Sequence, residues 1–315
     1  MMKKRYKKAT ALALTAGVIC SMGVTISAAT NAEYTKNENI YVRLEQDGQV
    51  DGVYVVNSFD VTKAGEISDY GDYAAVYNLT NLDEIVSDKE EQTFEAEEGK
   101  FYYQGNIEKA ELPWTFEIVY TLDGDQVEGE ELEGAEGELE MQIHIRKNPS
   151  FTEDAFFNTC LLQATVTLDS ELCDNIAAEK TTLPTEEGTE PTVEAASIAD
   201  AGGNEQITFT VNPGTETDLT VKTDVENFEM DDISIAGVPT GAVVAQDENA
   251  ENAENAETAD EGSQQTLSFT SAENKHTDHI VFAISAPGVK IPDPVATKVI
   301  EEKISFLEKV KSLFE

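Results

Sequence analysis

Apolar side chains that recur at every second position constrain this chain more than any other feature. Trp114, Phe116, Ile118, Tyr120 and Leu122 alternate with Thr115, Glu117 and Thr121. An extended backbone points successive side chains to opposite faces, so such a segment buries one row and wets the other. Leu139, Met141, Ile143 and Ile145 repeat the device against Gln142, His144 and Arg146, and so do Leu162, Ala164, Val166 and Leu168. Ile207, Phe209 and Val211 follow, with shorter runs at Ile40–Leu44, Val53–Val56, Ala75–Tyr77, Phe101–Ile107, Leu219–Val225, Ile233–Ile235, Leu267–Phe269 and Ile280–Ile284. Asp47-Gly48, Asp123-Gly124 and Asn212-Pro213-Gly214 supply turns, because Gly and Asn reach the positive φ that tight hairpins require. Serial short strands without a strong helix between them predict a mainly β chain. The expected architecture is two antiparallel β-sandwich (Ig-like) domains, at 34–110 and 111–288, followed by a short amphipathic C-terminal helix.

That helix is expected over 294–315. Asp293 can cap it, Pro294 suits its first turn, and Ile300, Ile304, Leu307, Val310 and Phe314 recur near helical period. A lone amphipathic helix is marginal in water, so this face should dock on the chain's own β domain or on a partner. Two other segments break the strand pattern. Residues 180–196 are rich in Thr, Glu and Pro and read as a flexible excursion. Residues 244–264 contain tandem Glu-Asn-Ala triplets, and their like charge and few apolar groups predict a disordered acidic loop.

Charge and leader set the compartment. Sixty-two acidic against 21 basic residues in 315 give a formal net charge of −41. That excess argues against nucleic-acid binding, which needs clustered cations to displace counterions. Lys3, Lys4, Arg5, Lys7 and Lys8 precede an apolar run from Ala9 to Ile26, and Ser27 and Ala29 fit a small-residue cleavage site. Residues 1–29 therefore read as a secretory signal peptide. Ile19 before Cys20 disfavours lipidation, and Glu186-Glu187 after Leu183-Pro184-Thr185 removes a wall-sorting reading. No later apolar run reaches the roughly 18 residues of a membrane span. The mature chain is expected to be secreted, in solution or held at the cell surface by non-covalent contacts. Export would permit a Cys160–Cys173 disulfide. A hairpin turning at Asp169-Ser170 would instead set Cys173 beside Val166, away from Cys160, so the pairing stays open.

Catalytic signatures are missing. The sequence has no G-x-S-x-G elbow, no S-x-x-K and no H-E-x-x-H. His276 and His279 form a lone H-x-x-H beside Asp278 without an evident third ligand, and His144 falls on the polar side of its strand. Trp114 lies on an apolar row, which favours core packing over a sugar platform. Asp123 with Asp125, and Asp224 with Asp231 and Asp232, offer hard oxygen ligands for Ca2+, although no EF-hand spacing exists.

One stretch resembles a known family. Leu112-Pro113-Trp114, Tyr120-Thr121-Leu122-Asp123-Gly124 and Glu131-Leu132-Glu133-Gly134-Ala135-Glu136-Gly137-Glu138-Leu139 are similar to extracellular β regions of Gram-positive surface proteins of the phage-infection-protein (YhgE/Pip-like) type. Phe209-Thr210-Val211-Asn212-Pro213-Gly214 and Asp224–Met230 extend the likeness over residues 100–240. The resemblance implies structural motifs and no catalytic residue; such proteins often continue into long helical segments and membrane spans. The expected function is a secreted, non-enzymatic surface or adhesion-type binding protein of a Gram-positive bacterium, with a protein or cell-wall partner. The alternatives are a carbohydrate-binding or carbohydrate-active cell-wall protein and a calcium-rigidified stalk segment.

Overall fold

The computed structural model describes residues 31–185, 188–240 and 267–290. The leader at 1–29, the acidic loop at 244–264 and the helix at 294–315, with its face of Ile300, Ile304, Leu307, Val310 and Phe314, lie outside the described residues. The chain is mainly β. Its first strands are β1 (Glu33–Leu44), β2 (Val50–Lys63), β3 (Gly65–Tyr70), β4 (Ala75–Asn78), β5 (Val86–Asp88) and β6 (Glu91–Ala96). Next come β7 (Gly99–Ile107), β8 (Trp114–Leu122), β9 (Asp125–Val127) and β10 (Gly137–Lys147), then a short helix α1 (Asp154–Thr159). The rest are β11 (Cys160–Asp169), β12 (Cys173–Thr182), β13 (Thr192–Ala195), β14 (Ser197–Asp200), β15 (Asn204–Val211), β16 (Thr217–Val225), β17 (Ile233–Pro239) and β18 (Thr277–Ala286).

These strands form three sheets. The largest has nine strands in the order β14-β15-β11-β17-β18-β1-β2-β7-β4. A six-stranded sheet, β13-β12-β16-β10-β8-β9, covers most of one face, and a three-stranded sheet, β3-β6-β5, accompanies the other end. Between the two larger sheets lies a core that includes Ile40, Val55, Trp114, Ile143, Ala164, Phe209, Leu219, Ile235 and Phe282, all buried. Trp114 is 3% exposed and meets Phe282 edge-on at 5.2 Å, as a core residue. A second, smaller core gathers Phe59, Val61, Ile67, Phe94, Ala96, Phe101 and Tyr103 beneath the three-stranded sheet. Phe94 and Phe101 stack at 4.4 Å there.

The buried residues of the smaller core all fall within 34–110, whereas the larger core draws Ile40, Val42, Leu44, Val53 and Val55 from that segment and its other buried residues from beyond it. β1 runs parallel to β18, with Ile40 opposite Phe282 and Val42 opposite Ile284. Strands from 111–288 (β14, β15, β11, β17, β18) and from 34–110 (β1, β2, β7, β4) thus form two blocks of one mixed sheet joined at the β18–β1 seam, and both supply the larger core. Alternation shows which side of a strand is buried but not which strand lies beside it, and a parallel neighbour needs no adjoining turn. The inner row of β2 makes the continuity visible. Val53 and Val55 enter the larger core, Asn57 stands fully buried between, and Phe59 and Val61 enter the smaller one.

Two further expectations change. The 180–196 excursion is partly β: the end of β12 pairs with β13, Glu179 opposite Ala195 and Thr182 opposite Thr192. All four side chains of β13 are exposed, so its composition carries no buried row to reveal a strand. The hairpin between β11 and β12 is not formed, because β11 lies in the nine-stranded sheet and β12 in the six-stranded one. Cys160 and Cys173 are both buried free thiols. Burial pushes the thiol of Cys160 up to about 12 and that of Cys173 up to about 11.

Candidate functional site

Two places combine chemistry with shape: a charged centre at the edge of the smaller core, and the outer face of the nine-stranded sheet. The first follows from the alternation of β1. The inward row that holds Ile40, Val42 and Leu44 begins with Lys36 and Glu38, which are 1% and 0% exposed. Lys36 Nζ lies 2.7 Å from Asp69 Oδ1, 2.8 Å from Asp69 Oδ2 and 2.9 Å from Glu38 Oε1. Asp69, on β3, is itself 1% exposed and accepts a hydrogen bond from the Tyr103 hydroxyl. Glu38 is anchored from the other side. Its Oε1 accepts from Ser268 Oγ at 2.5 Å and Thr270 Oγ1 at 3.0 Å, and its Oε2 accepts from the Phe269 backbone N–H at 2.7 Å. Asn274 closes the network, with its amide donating to the Tyr70 carbonyl at 2.8 Å.

The electrostatics are set by two carboxyl groups around one ammonium. Burial acts to discharge Lys36, but Asp69 and then Glu38 more than offset it and hold its ammonium above the usual lysine range. Burial pushes the Asp69 carboxyl up against the pull of Lys36, which favours the neutral acid. Tyr103 is also pushed well up, first by burial, so it remains a hydrogen-bond donor. A cavity of about 180 Å³ opens beside the centre, lined in part by Tyr34, Tyr70, Asn274 and His276.

The second place faces solvent. Register sets Tyr41 opposite Tyr54 on one side and Ala283 on the other, and Ala283 lies opposite Ala236, which lies opposite Gln163. The Tyr41 and Tyr54 rings stack at 4.9 Å with planes 10° apart, and each side chain is 37% exposed. Small residues at Ala236 and Ala283 leave a hollow of about 510 Å³ beside the pair. Among the described residues no acidic side chain lines it, and its charged member is Arg43, bonded to Asp51 at 2.6 Å. In a chain with 62 acidic residues, such a face is unusual.

Four of the five aspartates considered for calcium make contacts within the chain. Asp123 adopts φ 52° before Gly124 at φ 88°, and its Oδ1 accepts from the Glu138 N–H at 2.9 Å, tying the β8–β9 turn to β10. Asp125 is exposed at the start of β9. Asp224 Oδ2 accepts from Asn175 at 2.7 Å, Asp232 Oδ1 from the Gly288 N–H at 2.9 Å, and Asp231 faces Lys290 at 3.5 Å. Among the described residues no three His, Cys, Asp or Glu side chains gather as a metal site. His276 meets Tyr34 edge-on at 5.0 Å, and His279 lies 3.3 Å from Asp278. His144 differs from its reading as a solvated side chain: it is half-buried, with Nδ1 2.6 Å from Asp218 Oδ1, which Arg146 also contacts at 2.5 Å. Among the described residues no helix is long and apolar enough to cross a membrane.

Sequence reasoning missed Lys36, Glu38 and Asp69. The signal was present for two of them, because extending the Ile40–Leu44 alternation back two steps turns both charges inward. Asp69 arrives from β3, whose pairing with β6 nothing local announces.

No family model matches the sequence, and no curated protein does. Among solved structures the chain is similar to the yeast delta-COP-I mu-homology domain complexed with a Dsl1 WxWxV peptide. That likeness has 9% identity and a TM-score of 0.38, over 84% of this chain and 100% of that one. It is also similar to the N-terminal domain of the Streptococcus gordonii adhesin Sgo0707, at 9% identity and a TM-score of 0.24, over 61% of this chain and 57% of that one. The collagen adhesin of S. aureus gives 9% and 0.23, over 82% and 94%. Likeness this slight transfers neither a ligand nor a site.

Proposed function

We propose that this chain is a secreted, non-enzymatic binding protein of a Gram-positive cell surface, which holds a protein partner against the outer face of its nine-stranded sheet. The observation that carries this reading is the acid-free hollow beside the stacked Tyr41 and Tyr54. Tyrosine presents large contact area at low entropic cost and is enriched where interfaces bury it. Repulsion among the remaining acids would turn other approaches away and favour a partner with a basic rim. The cationic and apolar leader supports export, and Cys160 and Cys173, free and buried, leave no reactive thiol at the surface of the described residues. The tyrosine pair also offers an aromatic platform for a sugar ring, which Trp114 in the core does not.

Labelled protein added to intact Gram-positive cells tests the reading. The double variant Tyr41→Ser/Tyr54→Ser should bind at least about tenfold more weakly, since interface hot spots cost more than about 1.4 kcal/mol on truncation. Protease treatment of the cells should abolish binding. Binding that survives protease but not glycan digestion would move the reading to a wall carbohydrate. Equal binding by the variant would remove the site.

A further inference from the structure

The centre around Lys36 carries chemistry that polar closure of the smaller core does not by itself require. An ammonium and two carboxyl groups buried together are a weak source of stability, because desolvation consumes most of their attraction. Here the arrangement has the four components of an acyl-transfer site. Lys36 Nζ is a nucleophile, placed 2.7 and 2.8 Å from the two oxygens that flank the Asp69 carboxyl carbon. Reacting groups held within about 3–3.5 Å reach effective molarities of order 10⁵–10⁸ M. Glu38, 2.9 Å from Nζ and fixed by Ser268, Thr270 and the Phe269 N–H, is a base within reach of the amine protons. The Tyr103 hydroxyl donates to Asp69 where negative charge would gather during attack on its carbon.

We propose that the folded chain joins Lys36 to Asp69 through a side-chain amide, with release of one water and with Glu38 as the proton carrier. Glu38 first takes a proton from the Lys36 ammonium. The amine lone pair then attacks Cγ of the neutral Asp69 carboxyl, forming the N–C bond, while Tyr103 steadies the oxygen that becomes negative. The C–O bond to the hydroxyl breaks as Glu38 returns its proton, so the hydroxyl leaves as water. Glu38 finally takes the remaining surplus proton from nitrogen. The products are a neutral amide, a neutral Glu38 and water, so atoms and charge balance without an oxidant or activated donor. The driving force is the environment. In bulk water, hydration of the separated ions opposes condensation, whereas in this dry pocket the ions have lost that hydration and the uncharged amide is favoured. The cavity beside the pair gives the released water an exit.

Asp69 also accounts for the choice of carboxyl. Glu38 lies two residues from Lys36 on the same strand, whereas Asp69 lies 33 residues away on the three-stranded sheet. An amide to Asp69 would therefore clamp the three-stranded sheet to β1, giving an exported chain with two unbridged thiols a covalent tie of another kind. The inference is independent of the binding reading.

Intact-mass measurement of the full chain under denaturing conditions, followed by proteolysis, decides the matter. The expected wild-type mass is one water below that of the chain with its determined N-terminus, and the digest should contain a branched peptide uniting Lys36 with Asp69. Lys36→Met and Asp69→Ala should appear at full mass, and Glu38→Gln should retain the free side chains for far longer than wild type. Asp69→Asn should lose one ammonia in place of water. If a variant fails to fold, the wild-type digest still decides. A wild-type chain at full mass that trypsin cleaves after Lys36 once denatured would overturn the proposal, as would a water loss mapped elsewhere. A Glu38→Gln protein that links as fast as wild type would remove the role given to Glu38.

Discussion

The two cores under the nine-stranded sheet are built from different materials. The larger is closed by apolar rows on both sides, from Ile40 and Val55 above to Trp114, Ile143 and Leu219 below. The smaller has seven buried hydrophobic residues and, at its margin, the Lys36–Glu38–Asp69 centre. A three-stranded sheet offers little area to bury, and isolated small sheets are marginal. Area alone can hold the larger sandwich together, whereas the smaller end depends on specific polar closure between β1, β3 and the segment 268–274. The difference teaches that one sheet can serve two ends held by two kinds of force.

Truncations should separate the two most strongly. Phe59→Ala removes a fully buried ring that meets Tyr34, Phe94, Phe101 and Tyr103, at a cost of about 3–5 kcal/mol. Hydrogen exchange should then quicken in β3 and β6 well before β10. Ile143→Ala, in the larger core, should cost about 2–5 kcal/mol and lower protection throughout. Identical exchange patterns for the two variants would dissolve the distinction between the ends.

Thiol chemistry probes the larger core alone. With burial holding Cys160 and Cys173 up to about 12 and about 11, neither should alkylate at neutral pH until denaturant opens the sandwich. Prompt labelling of either in the native protein would contradict its burial.

The smallest effect belongs to the outward row of the six-stranded sheet. Burial opposes ionisation of Asp218, but hydrogen bonds from His144 and Arg146 outweigh it and hold its carboxyl below its ordinary 3.8. A depressed carboxylate contributes stability that is fully present above its unfolded pKa and is lost as pH falls through the folded value. Asp218→Asn should therefore cost under about 1 kcal/mol at neutral pH, as partly exposed pairs do, and the difference from wild type should shrink only below pH 3.8. Denaturant titrations across that range check the sign.

Much of this architecture was legible as strands, because a buried row at period two is written in the residues themselves. Trp114 through Tyr120 and Leu139 through Ile145 are buried as their alternation requires. Partnership was not legible. β1 beside β18, β11 and β12 in opposite sheets, and β13 along the edge of β12 are long-range or side-chain-poor pairings without a local signature. The candidate sites were hidden for related reasons. Lys36 and Glu38 read as a polar lead-in until their place on the inner row is counted. Tyr41 and Tyr54 become a pair only through the register of β1 and β2.

The most direct test of the shared sheet is to express residues 111–290 without β1 and β2 and follow unfolding by circular dichroism. This piece should give no cooperative transition, since β18 loses its parallel neighbour and the larger core loses Ile40, Val42, Leu44, Val53 and Val55. A sharp transition, with native-like exchange protection in β18, would contradict it.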